Sequence, residues 1–440
     1  MAIVALSLVA RRKGAKTWPA VAVWLPAVVM LTGRLCERPE LFSLLFLAGY
    51  LTVLGRAGER PRWLWLLPAI QVLWVNCHGF FVLGPMVLAA YAAEWCVERF
   101  WPSTATPLPR PPLKHFVLAS LTTLIACLVN PYGLKAVALP IEQFHKLGSA
   151  GIYRENIGEL KTIGDFVART NINNPYLLAY FVVLVLGIVS FVLHRRRARP
   201  SIFRLLLFAA AAYLGWQATR NSALFALVGA FVTVWNLDDT FLSAPGPTAE
   251  SSRKARRAGH GQRAQANLDP ALLAAIVILG IATASGGLYA WANEDRSFGL
   301  GERKQWYAHD ACKFLARPDL PERIAAFNLG QTAVCIAHAA PTHKQFMDPR
   351  LELNTQETFE RYLDGFRKLW RGQPDWEAPL GIDYARPEET PALLIERGIL
   401  AHAAEVLASN PRWRRVYADP LAVVFVTTDF AEAHHLAAAR

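Results

Sequence analysis

Charge is what this sequence has least of. Asp, Glu, Lys and Arg make up 18% of its 440 residues, against 53% hydrophobic residues. A soluble chain carries roughly a quarter of its residues charged, so the balance argues against a soluble fold and for a chain built for a bilayer. Acidic residues are nearly missing from the middle of the apolar runs. A proton- or sodium-coupled pump usually buries such groups there, and no convincing internal repeat is present; both absences weigh against a transporter. The 6 cysteines contain no CxxC pair, which removes support for a zinc knuckle or a thioredoxin-like site. The net charge of +12 comes mostly from short loops between apolar runs. That is the pattern of the positive-inside rule, and it gives no reason to expect a nucleic-acid partner.

What is present is a series of apolar runs, at residues 18–32, 41–54, 63–75, 80–93, 116–129, 176–193, 202–216, 224–235 and 272–291. The runs at 63–75 and 80–93 form a hairpin with a short polar tip, Asn76-Cys77-His78-Gly79. Asn130-Pro-Tyr-Gly133 is a stop and turn signal. The mixed segment 134–174 reads as an interfacial or loop-helix segment. Residues 1–10 are apolar and precede Arg11, Arg12, Lys13 and Lys16. That order reverses a signal peptide, and the stretch is shorter than the roughly 20 residues a crossing takes. It reads as the tail of a helix that begins earlier.

If each run crosses once, the basic clusters 11–16, 56–62, 99–114, 195–204 and 253–263 fall on one side, which should be cytoplasmic. The loops 33–40, 76–79, 130–175 and 219–221 then face outward, with everything after Trp291. The expected fold is an α-helical polytopic protein of the inner membrane with a small mixed α/β domain outside the cytoplasm. Its parts are a transmembrane helical domain (1–243), a basic disordered cytoplasmic linker (244–269), a last transmembrane helix (270–292) and an extracytoplasmic domain (293–440). That last part is long enough to bury its own core. Within it, 308–315, 320–327, 359–370 and 391–408 read as helices. Segments 332–337 and 344–347 read as short strands, and 413–417 and 422–427 flank a turn at Asp419-Pro420.

The outward loops collect the polar groups able to carry chemistry. Arg38 and Arg220 suit a phosphate headgroup, because guanidinium bonds phosphate oxygens in pairs; they also read as interfacial anchors. Asn76 and His78 join them as candidate substrate-binding residues, with structural roles in a tight turn as the alternative. Glu155 and Glu159 share a helical spacing and read either as solvated or as catalytic acids. Asp348 and Arg350 read more simply as a structural pair. Cys36 and Cys77 fall in outward loops and Cys312 and Cys335 in the outer domain, where disulfides can form. Cys96 and Cys127 read as small buried hydrophobes.

The order Arg38-Pro39-Glu40, Leu73-Trp-Val-Asn-Cys-His-Gly79, Asn130-Pro-Tyr-Gly133 and Arg220-Asn221 resembles a bacterial membrane family with the GT-C glycosyltransferase architecture. Phe346-Met-Asp348-Pro-Arg350, Asn410-Pro-Arg-Trp413 and Val416-Tyr-Ala-Asp419 extend the resemblance. It implies transfer of a sugar from a polyprenyl-phosphate donor on the outer side of the membrane. A carboxylate would activate the acceptor or hold a divalent metal, and cations would stabilise the leaving phosphate. In such enzymes the catalytic acid lies in the first outer loop, which has no counterpart here. No catalytic residue is therefore carried over, and an incomplete or inactive relative is expected. The family's Gly-Gly-Tyr run is replaced by Gly330-Gln-Thr-Ala333. Two other classes stay open: a transporter or flippase for a lipid-linked or small anionic substrate, and a noncatalytic scaffold with a partner-binding outer domain. Oligomeric state is not readable.

Overall fold

The computed structural model describes residues 2–11, 15–34, 38–100, 110–149, 151–169, 174–195, 201–242, 270–294, 298–299, 301–302, 306–398 and 400–439. The chain divides into two compact units, Met1–Phe298 and Gly299–Arg440. The linker expected at 244–269 lies outside the described residues.

Unit 1 is helical throughout its described residues. Its elements are α1 (Ala2–Ala10), α2 (Thr17–Thr32), α3 (Glu40–Arg56), α4 (Leu66–Val75), α5 (Leu83–Phe100), α6 (Leu113–Ala126), α7 (Leu134–Ser149), α8 (Gly151–Asn156), α9 (Ile163–Arg169), α10 (Pro175–Arg195), α11 (Ile202–Gln217), α12 (Ser222–Leu242), α13 (Pro270–Ala284) and α14 (Gly287–Trp291). Each apolar run is thus helical. Three stretches, Gly79–Val97, Pro175–Arg195 and Thr219–Leu242, are long and apolar enough to cross a membrane; Thr17–Thr32, Leu113–Ala126 and Ile202–Gln217 are shorter apolar helices.

Helix α12 is the axis of this unit. Residues from Ala223 to Thr240 are buried on every face, packed by α2, α10, α11 and α3. A helix apolar all round belongs inside a bundle. The apolar run at 224–235 stops at Trp235, ahead of Asn236, Asp238 and Asp239. The helix instead continues to Leu242, since each polar group meets a partner. Asn236 Nδ2 donates to Ser190 Oγ (3.1 Å), and its Oδ1 accepts from Arg204 Nη1 (3.1 Å). Asp238 pairs with Arg11 and Asp239 with Arg204, each at 2.7 Å. Elsewhere in the bundle Phe208 of α11 lies so close to α10 that a Cβ at Gly187 would sit 2.1 Å from its ring. Only glycine allows that approach. The run at 272–291 is not one helix: Gly286, with φ +77°, separates α13 from α14, a conformation glycine adopts without steric cost.

Unit 2 is a mixed α/β fold. Its strands are β1 (Arg323–Ala326), β2 (Lys344–Gln345), β3 (Ala392–Glu396), β4 (Trp413–Ala418) and β5 (Ala422–Thr427). They form one sheet in the order β2-β1-β3-β5-β4. The β2, β1 and β3 neighbours are parallel, and β5 runs antiparallel to both β3 and β4. Every residue of β5 is buried, which fits its unbroken apolar sequence. The β4–β5 turn is closed by Asp419, whose Oδ1 accepts from the amides of Leu421 and Ala422 at 2.7 Å.

The helices of this unit include α15 (His309–Leu315), α16 (Leu329–Ala339), α17 (Gln356–Trp370), α18 (Glu377–Leu380), α19 (Ala401–Ala408) and α20 (Thr428–Ala433). Three expectations are corrected. Segment 320–327 holds the strand β1, not a helix. Segment 332–337 lies in helix α16, not in a strand. Segment 391–408 divides into β3 and α19. Short apolar runs do not separate strand from helix by periodicity. For α16 the start is set by Asn328, whose side chain accepts from the amide of Gly330 at 2.8 Å, a common N-cap arrangement. A disulfide joins Cys312 of α15 to Cys335 of α16.

Candidate functional site

The polar groups of unit 1 gather at the two ends of its long helices. One end holds the loops that charge alternation assigns outward. Helix α2 ends at Thr32, two residues before Arg34, and α3 opens just after Arg38 and Pro39, where proline's missing N–H is tolerated. The two arginines converge on a single carboxylate oxygen. Arg38 Nη1 donates to Glu159 Oε2 at 2.7 Å, and Arg34 Nη1 donates to the same oxygen at 3.2 Å. Arg34 Nη2 also donates to Glu40 Oε1 at 3.2 Å.

Glu159 sits in a short 3-10 turn, Gly158–Leu160, held from below by buried Leu160. The same turn is bonded to the loop between α11 and α12. Thr219 N donates to Lys161 O at 2.9 Å, and Thr219 Oγ1 donates to Glu159 O at 3.2 Å. Half-buried Arg220 follows directly, and Asn221 fixes the turn by donating to Leu214 O at 3.0 Å. Burial pushes the Glu159 carboxyl up, but the hydrogen bond and charge of Arg38, with Arg34 behind, outweigh it. The group is held below the usual carboxylate range.

His78 is joined to this end through α3. Trp74 Nε1 donates to Ser43 Oγ at 2.8 Å, and Ser43 Oγ lies 2.9 Å from His78 Nδ1. With the Trp74 N–H spent on Ser43, the serine hydroxyl is placed to donate to Nδ1, which also accepts from the amide of Phe80 at 3.4 Å. That geometry fits the tautomer carrying its proton on Nε2. Asn76 has a bracing role: its Nδ2 donates to Val72 O and Val129 O, both at 2.8 Å, tying α4 to the end of α6. Asn130 closes the adjacent turn, accepting from the amide of Tyr132 at 2.8 Å. The structure therefore joins Arg38 directly to Glu159, links both to the turn carrying Arg220, and connects His78 by way of Ser43. Cys36 lies outside the described residues, and with it the Cys36–Cys77 pairing; Cys77 is an exposed thiol.

The other end holds a cavity of about 80 Å³ lined by Arg56, Glu59, Glu94, Arg110, Arg204, Asp238 and Asp239 among others. Arg56, Arg110 and Arg204 come from three of the basic clusters expected on one side. Helix α3 runs 17 residues from Glu40 at one end to Arg56 at the other, a separation of roughly 25 Å.

Sequence reasoning weighed Glu159 without choosing it, did not single out Arg34, and missed Ser43, Asp238 and Asp239. The four-residue spacing of Arg34 and Arg38 was the available signal for the first pair. Nothing in the sequence ties Glu159 to them across more than 120 residues.

Among the described residues no three His, Cys, Asp or Glu side chains converge to hold a metal ion. The divalent metal implied by the resemblance thus finds no fit there, since Glu159 is already engaged by two guanidinium groups. In unit 2, Arg350 bonds Asp348 two residues away at 2.9 and 2.7 Å, which makes that motif a local loop brace. His309 bridges Glu302 (2.6 Å) and His338 (2.9 Å) beside the disulfide. No family model matches the chain, and no curated protein or solved structure does either.

Proposed function

We propose that this chain is a GT-C-like, multi-pass protein of the inner membrane whose Arg34–Arg38–Arg220 end binds the phosphate headgroup of a lipid-linked sugar donor at the outer surface. The observation that carries the reading is the joining of three loops far apart in sequence. The loop with Arg34 and Arg38, the turn with Glu159 and the turn with Arg220 are bonded to one another. Two guanidinium groups meeting on one carboxylate at one end of an apolar bundle, with the turn that carries Arg220 bonded to the Glu159 turn, suit an anionic head whose tail lies in the bilayer.

Three further features support the placement in the membrane. The basic residues Arg56, Arg110 and Arg204 gather at the opposite end, as the positive-inside rule expects of a cytoplasmic face. The C-terminal unit carries a disulfide, which suits an oxidising compartment outside the cytoplasm. The helix α7 exposes Leu134, Ile141 and Phe144, as a segment lying in the membrane interface would.

The reading is one of binding. Glu159 is a poor general base while two arginines hold it ionised. The acid that would activate an acceptor is not among the groups gathered here, so transfer itself is not assigned to a residue. The test is retention of a polyprenyl-phosphate sugar by the chain in lipid nanodiscs. Arg38→Ala and Arg220→Ala should each weaken it at least about tenfold, the loss of one charge-assisted hydrogen bond. Equal retention by both variants and the natural chain would overturn the reading.

A further inference from the structure

The charge of the Arg34–Arg38 pair is met by a side chain. One oxygen of Glu159 takes both Arg34 and Arg38, in the manner of a phosphate oxygen shared between two guanidinium groups. We infer that Glu159 is a resident anion: it occupies the arginine pair in the empty protein, and a phosphate group displaces it on binding. This rests on the anion-binding reading above and specifies how that site is kept ready.

The surroundings allow the exchange. The Glu159 side chain is 32% exposed and Arg38 is 47% exposed, so both have solvent to turn into. The backbone of the turn is held independently of the carboxylate, by buried Leu160 and by the Thr219 bonds to Glu159 O and Lys161 O. Rotation of one side chain vacates the place without moving the turn. Beside it, Gly158 has open space around its Cα. Arg34 keeps its position meanwhile, because it retains Glu40. A phosphate offers more acceptor oxygens than a carboxylate and pairs with two guanidinium groups at once. The Arg38–Glu159 pair is the more exposed of the two, and exposed ion pairs are weak, so that contact is easily exchanged.

The ligand class is a phosphate monoester or diester, which is common to a lipid headgroup and to free phosphate. The experiment measures binding to the full chain in nanodiscs, with polyprenyl phosphate in the bilayer in one arm and inorganic phosphate in solution in the other. Glu159→Gln removes the competing charge and should tighten binding about twofold to fivefold, the equilibrium equivalent of one exposed ion pair. Glu159→Asp keeps the charge but draws it back by one methylene, and should fall between the two. Tightening in the lipid arm alone assigns the site to a headgroup; tightening in both arms assigns it to the phosphate itself. Unchanged or weaker binding by Glu159→Gln, with Arg38→Ala still losing the ligand, overturns the resident-anion role while the binding reading stands. If Glu159→Gln does not fold, Glu159→Asp decides: binding no tighter than that of the natural chain overturns the role. Absence of binding by the natural chain overturns both.

Discussion

Replacing Cys312 and Cys335 together by alanine should loosen the C-terminal unit by several kcal/mol. The two residues are 23 apart in sequence, with Cα atoms 4.7 Å apart. Closing a loop of that length removes chain entropy worth about 3.4 kcal/mol at 25 °C. Both residues are fully buried, so alanine is preferred to serine, whose hydroxyl would add a desolvation cost of its own. For a unit of this size the loss corresponds to a shift in Tm on the order of 10 °C. Whole-chain melting is unsuitable, because a chain of two units is not two-state. Hydrogen exchange over 309–315 and 329–339 reads the effect locally. The double variant, and the natural chain after reduction, should exchange there about a hundredfold faster or more. Equal exchange in oxidised and reduced protein would refute the calculation. Ready alkylation of both thiols in intact, quenched cells would refute the pairing, and with it the outward placement of this unit.

Three other outcomes follow from the same contacts. Ser43→Ala strands the indole N–H of fully buried Trp74 and should cost about 1–3 kcal/mol, measured as a lower aggregation midpoint in detergent; Ser43→Thr should restore much of it. Asp239→Asn leaves Arg204 buried without the carboxylate 2.7 Å away and should cost about 3–5 kcal/mol by the same measurement. Glu159 has its pKa lowered by folding. The stability it contributes is therefore fully present above the unfolded carboxylate value of about 4.3 and is lost as pH falls through the folded value. Protection factors over 158–161, with the intrinsic pH dependence of amide exchange divided out, should stay flat from neutral pH down to that region and fall below it. A fall beginning near pH 6 would contradict the ion-pair geometry.

Much of the helical frame was legible because hydropathy reports which residues avoid water, and each apolar run is helical, that at 272–291 in two pieces. Hydropathy does not report which polar residues will be satisfied inside. The sequence alone gave no reason to carry α12 past Trp235, because Asn236 and Asp239 are buried only by virtue of Ser190 and Arg204, tens of residues away. The break at Gly286 was hidden for the opposite reason, since glycine interrupts a helix without changing an apolar run much. In unit 2 the β4–β5 hairpin was readable from the two segments flanking the Asp419-Pro420 turn. The strand β1 and helix α16 were exchanged because both are short and apolar. The site divides along the same line. Arg38, His78 and Arg220 were picked out as polar residues in outward loops. That Arg38 meets Glu159, and that the Glu159 turn meets Thr219, are tertiary facts that spacing does not encode.

The account stands on where a lipid-linked phosphate binds. A polyprenyl phosphate bearing a diazirine next to the phosphate, photolysed with the chain in nanodiscs and mapped by mass spectrometry, tests that directly. Labelling should concentrate on peptides holding Arg38, 158–161 and 219–221, and excess unlabelled polyprenyl phosphate should suppress it. Labelling at the opposite end, around Arg56, Arg110 and Arg204, or labelling unaffected by competitor, would contradict the account.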